Sequence, residues 1–258
     1  MKRMMTTVTL ALLLVSTGCK PISRMLNSGG TMFVVEVIAP EDDRTNLVDR
    51  AVMITRSRLD AVGIDGEVKS SDSDNRMEVR IFGNHDLEPI RKFLFTTYKL
   101  ELKKVVSPPS PNPVQQFSDK AKAEATIAEG QQVLPYMEIE ERSSNFMIVE
   151  KDPIVTGEDI RSANAVSRIG SDFEYQIEFT LKPEGAAKFG EWTARNINNY
   201  LAVILDGKVQ SVAYIKTQIS DMGEISGRFS KTQAEAIAAS LNSGYMPAEL
   251  KVVEEKTF

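Results

Sequence analysis

The residue types that most often carry catalysis or bind metal ions are scarce in this chain. Among its 258 residues there is one cysteine, Cys19, and one histidine, His85. A zinc site built from several cysteines and histidines is therefore excluded, and so is an internal disulfide framework. A Ser-His-Asp triad would need His85 as its base. This residue lies in the run Gly83–Asp86, which is typical of a solvated loop leading into a helix.

The carboxylates offer no better candidate. Asp72 and Asp74 lie in the run 71–75, but no glycine or distal glutamate follows them at the spacing of an EF-hand calcium loop. A polar turn is the simpler interpretation. An enzyme would have to use carboxylates or a serine–lysine pair, and no spacing singles one out. We therefore predict that the protein is not an enzyme, with no metal ion, no cofactor and no catalytic residue.

The overall composition is that of an ordinary soluble globular protein, with 42% apolar and 26% charged residues. The formal net charge of -5 argues against a basic surface for nucleic acid. We expect no nucleic-acid partner.

The first 18 residues have the features of a targeting segment. Lys2 and Arg3 precede a short apolar core that is below the length of about 20 residues needed to span a bilayer. The segment ends Ser16-Thr17-Gly18 directly before Cys19, which resembles a bacterial lipoprotein signal in which that cysteine is acylated. The alternative is an ordinary secretory signal with a cysteine nearby.

Acylation of Cys19 would attach the mature chain to a membrane through its N-terminal lipid, because buried acyl chains contribute roughly 0.8 kcal/mol per CH₂ group. We expect residues 19–31 to be a flexible tether. The expected location is the periplasmic side of the cell envelope, and Lys20 after the cysteine favours the outer membrane over the inner one.

Hydrophobic periodicity and capping signals predict the elements that follow. The predicted strands are Met32–Ile38, Glu67–Ser70, Arg76–Ile81, Tyr98–Val106, Phe146–Val149, Phe173–Leu181, Leu201–Leu205, Val209–Ile215 and Glu249–Glu255. The predicted helices are Asp43–Val62, Leu87–Phe95, Ser118–Glu129, Thr156–Ala165, Pro183–Ile197 and Ser230–Leu241. Ser118, Thr156 and Ser230 are the expected N-caps, and Gly63 and Gly244 the expected terminators.

The clearest turn signal is Asp206-Gly207 between two β-prone runs. A type I′ hairpin turn needs a positive φ at both central residues, which aspartate and glycine tolerate.

The element order predicts an α+β fold with two parts. The first six elements, up to residue 106, have the β-α-β-β-α-β order of a ferredoxin-like antiparallel sheet. The segments 99–106 and 248–255 have similar amphipathic patterns, so we expect both in one sheet, with the region between them inserted. We predict three parts. Residues 32–106 and 226–258 form a ferredoxin-like base, residues 107–135 form a Pro-rich linker and connecting helix, and residues 136–225 form an inserted α+β head subdomain.

Several motifs in this order resemble one family. They are ITRSRLDAVGI at 54–64, RMEVRI at 76–81, PIVTGEDI at 153–160 with Thr156 and Gly157, a T-x-x-N helix with Thr193 and Asn196, LAVILDGKV at 201–209 with Asp206 and Gly207, ISGRFS at 225–230 with Gly227, a G-x-x-P-A turn with Gly244 and Pro247, and VEEKT at 253–257. The likeness is to the first periplasmic domain of SecD, the export accessory subunit of the bacterial Sec translocase.

The resemblance implies a base and a head that move about a hinge and a role in receiving emerging polypeptide. It also has departures. The family's transmembrane bundle is not found in the sequence, a predicted lipid anchor replaces its first membrane helix, and Ala213 stands where the family has proline. We therefore expect that this chain does not couple export to a proton gradient by itself. Most of the matched residues are core, cap and turn residues, so they indicate the fold more than a site.

Two functions follow as hypotheses. The first is a non-enzymatic lipoprotein that binds translocating or unfolded polypeptide, or Sec translocase components, and assists export. The second is a structural or adaptor lipoprotein that keeps the fold without an export role.

Overall fold

The computed structural model describes residues 29–38, 44–71, 75–136, 145–168 and 174–258. The predicted targeting segment and Cys19 lie outside these ranges, as do residues 72–74 of the predicted polar turn. Within the described ranges no helix has both the length and the hydropathy needed to cross a membrane.

Strands predominate along the described chain, with five α-helices between them. The strands are β1 Gly30–Ile38, β2 Gly66–Ser70, β3 Arg76–Phe82, β4 Leu100–Lys104, β5 Gln131–Tyr136, β6 Asn145–Glu150, β7 Val155–Thr156, β8 Ile160–Ser167, β9 Tyr175–Leu181, β10 Tyr200–Leu205, β11 Lys208–Tyr214, β12 Met222–Phe229 and β13 Glu249–Thr257. The helices are α1 Arg44–Ala61, α2 Leu87–Phe95, α3 Lys120–Glu124, α4 Pro183–Arg195 and α5 Lys231–Asn242.

The first sheet is antiparallel and has the order β13-β1-β3-β2. Alternation in β1 and β3 directs one row of apolar side chains to the core face, where α1 and α2 cover it. These fully buried residues are Phe33, Val35, Val37, Met77, Val79 and Ile81. The strand predicted at Arg76–Ile81 is confirmed. On α1, Val48, Val52, Thr55 and Leu59 are buried, but the helix ends before Val62, which is 45% exposed.

The prediction for the fourth strand of this sheet was wrong. Residues 100–104 form β4 in a different sheet, and β13 occupies the position beside β1. The two segments carry the same amphipathic pattern, which identifies a half-buried strand but not its partner. Hydrogen bonding to β10 decides the place of β4, and the approach of Leu250 and Val252 to β1 decides that of β13.

The second sheet has the order β6-β5-β11-β10-β4-β7. The predicted hairpin β10–β11 lies at its centre, with φ of +48° at Asp206 and +73° at Gly207, as a type I′ turn requires. Val105, directly after β4, bridges to Val149 of β6, so the sheet curls toward closure. Strand β5 was not predicted, because Pro135 is unusual inside a strand, yet Pro135 lies opposite Phe146 of β6.

The third sheet has the order β12-β9-β8, and α4 and α5 contact it. The helix predicted from Thr156 to Ala165 was wrong: a 3-10 turn, Gly157–Asp159, leads directly into β8. Thr156 does act as the cap, in a reciprocal capping box with Asp159. Beyond that turn, antiparallel pairing of Ala163 with Phe179 outweighs local helix propensity.

Two other predictions need correction. The helix expected at 118–129 is the short α3, and Asp119 rather than Ser118 caps it. Strand β12 was not predicted, because Gly223 and Gly227 interrupt its pattern. Both glycines lie against aromatic rings: a Cβ at Gly223 would come within 2.3 Å of the Phe179 ring, and one at Gly227 within 2.5 Å of the Phe229 ring.

The predicted N-cap of α5, Ser230, is confirmed and forms a capping box with Gln233, and Gly244 follows that helix with φ of +102°. Although α5 was assigned to the base, its buried residues Ala234, Ile237 and Leu241 belong to the same core cluster as the third sheet. We call the first sheet with α1 and α2 the base, and the elements from β4 to α5 the head. The α+β class is confirmed, and so is the antiparallel arrangement of the base sheet.

Asn242 at the end of α5 joins that helix to the outer strand of the third sheet. Its side chain accepts a hydrogen bond from the Ala163 N–H and donates one to the Ala163 carbonyl, both at 2.8 Å. We expect Asn242→Ala to lower the free energy of unfolding by about 1–3 kcal/mol, because the N–H and the carbonyl of Ala163 both lose their partner. Urea denaturation followed by circular dichroism measures this loss.

Ser243→Ala is the matched control for this change. The Ser243 hydroxyl donates only to the carbonyl of Ala239 in its own helix, so we expect a change within about 0.5 kcal/mol. Equal losses for the two variants would show that the link to β8 does not matter.

Candidate functional site: the junction between base and head

Two segments connect the base with the head. The first connector, Thr96–Lys99, runs from α2 to β4, and the second, Ser243–Ala248, runs from α5 to β13. They lie side by side, and the tip of the β10–β11 hairpin completes a cleft of about 530 Å³ between them. Lys99, Asp206, Gly207, Tyr245 and Pro247 are among the residues that line this cleft.

Asp206 connects the hairpin tip to the first connector. One carboxylate oxygen, Oδ1, accepts a hydrogen bond from the Thr97 hydroxyl and another from the Lys99 N–H, both at 2.8 Å. The Asp206 N–H donates to the Lys99 carbonyl at 2.9 Å. The hairpin turn therefore does more than reverse the chain, because its first residue binds the connector on both sides of Tyr98.

Arg58 of α1 lies beneath the same connector and is fully buried. Its Nη1 donates to three carbonyls where α2 ends, those of Phe93, Leu94 and Thr96, at 3.2, 2.9 and 2.6 Å. The Phe93 and Leu94 carbonyls lie in the last turn of α2, where a helix leaves its carbonyls free, and Thr96 directly follows that helix. The guanidinium supplies their partners and fixes the end of α2.

The burial of Arg58 has an electrostatic cost. Desolvation lowers the pKa of Arg58 well below its ordinary value, to about 10, while Tyr98 and Asp206 oppose this decrease. The guanidinium is therefore still charged at neutral pH. Its carbon lies 5.7 Å from the centre of the Tyr98 ring and 6.0 Å from that of Phe93, within the range of cation–π attraction.

Tyr98, between Thr97 and Lys99, has φ of +48°. This left-handed conformation is uncommon for a bulky residue and costs roughly 1–2 kcal/mol. Burial raises the pKa of the Tyr98 hydroxyl, against the opposing effect of Arg58. The Tyr98 ring packs against the head core, so this residue touches both the head and the buried cation of the base.

A second contact crosses the junction near Tyr245. The ring of Tyr245 packs against Gly157, where an added Cβ would lie 3.2 Å from a ring carbon. Burial raises the pKa of the Tyr245 hydroxyl, and Lys99 has the largest opposing effect. Close by, Arg50 of α1 forms an exposed ion pair with Glu158 of the head at 2.7 Å.

The structure brings several of the motif residues from the sequence to this junction. Asp206, Gly207 and Pro247 line the cleft, and Gly157 contacts Tyr245, which lines it too. Thr156 caps the turn that holds Gly157, and Gly244 begins the bend of the second connector. Their spacing along the sequence did not predict that they would meet.

Other motif residues lie elsewhere in the head. The buried Thr193 hydroxyl donates to the Phe189 carbonyl at 2.9 Å and accepts from the Ile219 N–H at 3.0 Å, which attaches the loop before β12 to α4. Asn196 ends α4, with its side chain donating to the Trp192 carbonyl. Gly227 lies in β12. These three have structural roles.

Sequence reasoning missed Arg58 and Tyr98 as site residues. Arg58 lies within the matched 54–64 motif, and a signal was present: Ile54, Thr55 and Leu59 place position 58 at the border of the buried face of α1. An arginine there is usually interpreted as reaching solvent. Only the unpaired carbonyls at the end of α2 explain why this one is buried.

An apolar groove runs along the other side of the junction, between helices of the base and of the head. It comprises two adjoining cavities of about 270 and 350 Å³ that share Pro89, Phe93, Thr232 and Ala236. Pro89 and Phe93 belong to α2, and Thr232 and Ala236 to α5. Because the groove lies between a base helix and a head helix, its shape depends on how head and base are oriented.

His85 lies in an exposed loop and contacts the Phe82 carbonyl through Nε2 at 2.9 Å. Among the described residues no group of three or more histidines, cysteines, aspartates or glutamates is placed to hold a metal ion.

The fold and the junction define the class of this protein: an antiparallel α+β protein in which a base sheet carries a head through two connectors. Residues 131–248 match the family model of the SecDF P1 head subdomain. The chain is thus a relative of SecD, and its described part has the fold of the P1 domain of SecDF.

Curated relatives agree with this assignment. The protein translocase subunit SecD of Aquifex aeolicus is 32% identical over 217 residues, covering 84% of this chain and 40% of that protein. The SecD of Koribacter versatilis is 32% identical over 222 residues, with the same two coverages of 84% and 40%. The chain therefore spans about 40% of the length of these relatives.

Solved structures show the same architecture. One, from work on SecDF as a membrane component that enhances protein export, has a TM-score of 0.64 and 25% identity, covering 86% of this chain and 98% of that one. The crystal structure of SecDF in its Super-membrane-facing form has a TM-score of 0.66 and 24% identity, covering 88% of this chain and 30% of that one. The latter supports the fold alone.

We expect Arg58→Ala to lower the free energy of unfolding by about 3 kcal/mol or more, because it creates a cavity and leaves three buried carbonyls without a donor. The control is Arg56→Ala on the same helix, where the exposed side chain donates a single hydrogen bond to the Val68 carbonyl, and a loss of about 1 kcal/mol or less is expected. Chemical denaturation measures both, and similar losses would contradict the anchoring role of Arg58.

Proposed function

We propose that this protein assists protein export at the periplasmic side of the cell envelope by binding translocating or unfolded polypeptide, without enzymatic activity. The observation that carries the proposal is the relationship to SecD over 84% of the chain, together with the P1 head match at 131–248. One related structure comes from work on a SecDF that enhances protein export. We extend that role to this chain.

The surfaces of the described residues support a binding role. The groove between α2 and α5 is mainly apolar, and unfolded chains expose apolar side chains that folded proteins bury. In the head, Met222 at the start of β12 is 65% exposed beside a cavity of about 360 Å³ on the outer face of the third sheet. Methionine adapts its shape to different apolar partners.

We propose that Cys19 is lipidated and attaches the protein to a membrane, with components of the Sec translocase as partners. We also propose that the base is a ferredoxin-like unit into which the head is inserted. The strand order β13-β1-β3-β2 supports this division, with boundaries near Lys99 and Ser243 instead of those predicted at residues 106 and 226.

Site-specific photo-crosslinking tests the binding role. A photoreactive amino acid replaces Met222 in the head, and we expect it to form crosslinks with a secreted chain arrested during export. The matched control is Met53 of the base helix α1, which is 64% exposed and thus almost as accessible as Met222. We expect crosslinks from Met222 at least several-fold above those from Met53.

Equal, background-level crosslinking at both positions, with normal export in a null mutant, would contradict the proposal. A single fixed partner protein crosslinked at Met222 would instead indicate the adaptor role.

Lipidation is tested by metabolic labelling with a fatty-acid analogue. We expect the wild-type chain to be labelled and to sediment with membranes, and Cys19→Ser to lose the label and become released, because no other cysteine is present. A Ser16→Ala control, which keeps the cysteine, should retain the label. A secreted, unlabelled wild-type chain would favour the ordinary secretory signal.

A further inference from the structure

We propose that Asp206 is the positioning residue that holds the first connector in a strained conformation and so fixes the orientation of the head on the base. Only one consequence of this inference rests on the proposed function: a fixed head presents its binding surfaces in one orientation. The contacts on which it depends all lie at the junction.

The strain is confined to one of the two connectors. Both contain a residue with positive φ: Tyr98 at +48° in the first and Gly244 at +102° in the second. Glycine adopts such a conformation at little cost, whereas a tyrosine does not. The second connector is therefore relaxed, and the first persists in its conformation only because its surroundings hold it there.

The Asp206 carboxylate supplies much of this restraint. Its Oδ1 binds Thr97 and Lys99, the two neighbours of Tyr98, and its N–H binds the Lys99 carbonyl. With both neighbours attached to the hairpin tip, the peptide units around Tyr98 cannot rotate toward an unstrained φ without breaking these bonds.

These bonds are not needed by the hairpin turn. A type I′ turn requires only that its two central residues tolerate positive φ, and asparagine or glycine would serve equally well at position 206. The carboxylate bonds of Asp206 reach residues 107 and 109 positions away in sequence. The side chain thus serves the junction and not the turn.

Arg58 completes the arrangement from the base. It holds the carbonyl of Thr96 at 2.6 Å, and its guanidinium lies 5.7 Å from the Tyr98 ring. The first connector is therefore held by a cation of the base on one side and a carboxylate of the head on the other. When the Asp206 bonds are lost, only the base still holds the connector, Tyr98 relaxes, and the head samples further orientations.

Spin-label distance measurements by double electron–electron resonance test this role in the full chain. Labels are placed at Met53→Cys in the base and Met222→Cys in the head, in a background carrying Cys19→Ser. We expect one narrow distance peak without further substitution. Asp206→Gly keeps the positive φ but removes both carboxylate bonds, and we expect the peak to become at least twice as wide or to divide in two.

Three further variants make the result specific. Asp206→Asn keeps an Oδ1 acceptor and should restore the narrow peak. Thr97→Val removes one of the two bonds and should give an intermediate width. Asn198→Gly is the control, because Asn198 is another head residue with positive φ, +70°, whose Oδ1 accepts from the Tyr214 hydroxyl away from the connector. It should leave the peak unchanged.

A narrow, unshifted peak in folded Asp206→Gly would overturn the proposal, and so would equal broadening in Asn198→Gly. Should Asp206→Gly fail to fold, Thr97→Val decides alone: an unchanged width overturns the proposal, and broadening supports it. Because no polypeptide is present, the result is independent of the crosslinking test of the proposed function.

Discussion

A buried guanidinium with three carbonyl partners is the contact on which the arrangement of this protein depends. Arg58 satisfies the free carbonyls at the end of α2 and binds the residue with which the first connector begins. Without a donor there, the helix end would have to reach water, and the connector would leave the base in another direction. The path from base to head therefore begins at the charged side chain of Arg58, whose burial in the base has a desolvation cost.

The junction also explains why particular residue types are needed at positions that are distant in sequence. Gly157 meets the ring of Tyr245, and Asp206 binds Thr97 and Lys99. Each pair joins a segment of the head to one of the connectors. The head is thus positioned by a few specific contacts around a cleft and an apolar groove. The base has a core cluster of its own, whereas the second and third sheets share a cluster within the head.

Local sequence signals identified many elements because their physical causes are local. The helix α2 was predicted at its observed bounds, and the Asp206-Gly207 turn and the N-cap Ser230 were predicted correctly, since each depends on neighbouring residues. Failures occurred where a distant partner decides. Residues 160–167 became β8 through pairing with β9, and β12 depends on glycines that fit against the rings of Phe179 and Phe229.

By itself the sequence determined the α+β class, the likeness to SecD, the scarcity of catalytic and metal-binding side chains, and the positions of its strongest caps and turns. Only the tertiary structure decided which strand stands beside β1, that α5 packs on the head core, and that Arg58, Tyr98 and Asp206 meet at one connector. The physical reason is that amphipathic patterns specify which face of a strand or helix is buried, whereas strand partners and the burial of a charge depend on hydrogen-bonding groups that only the folded chain brings together.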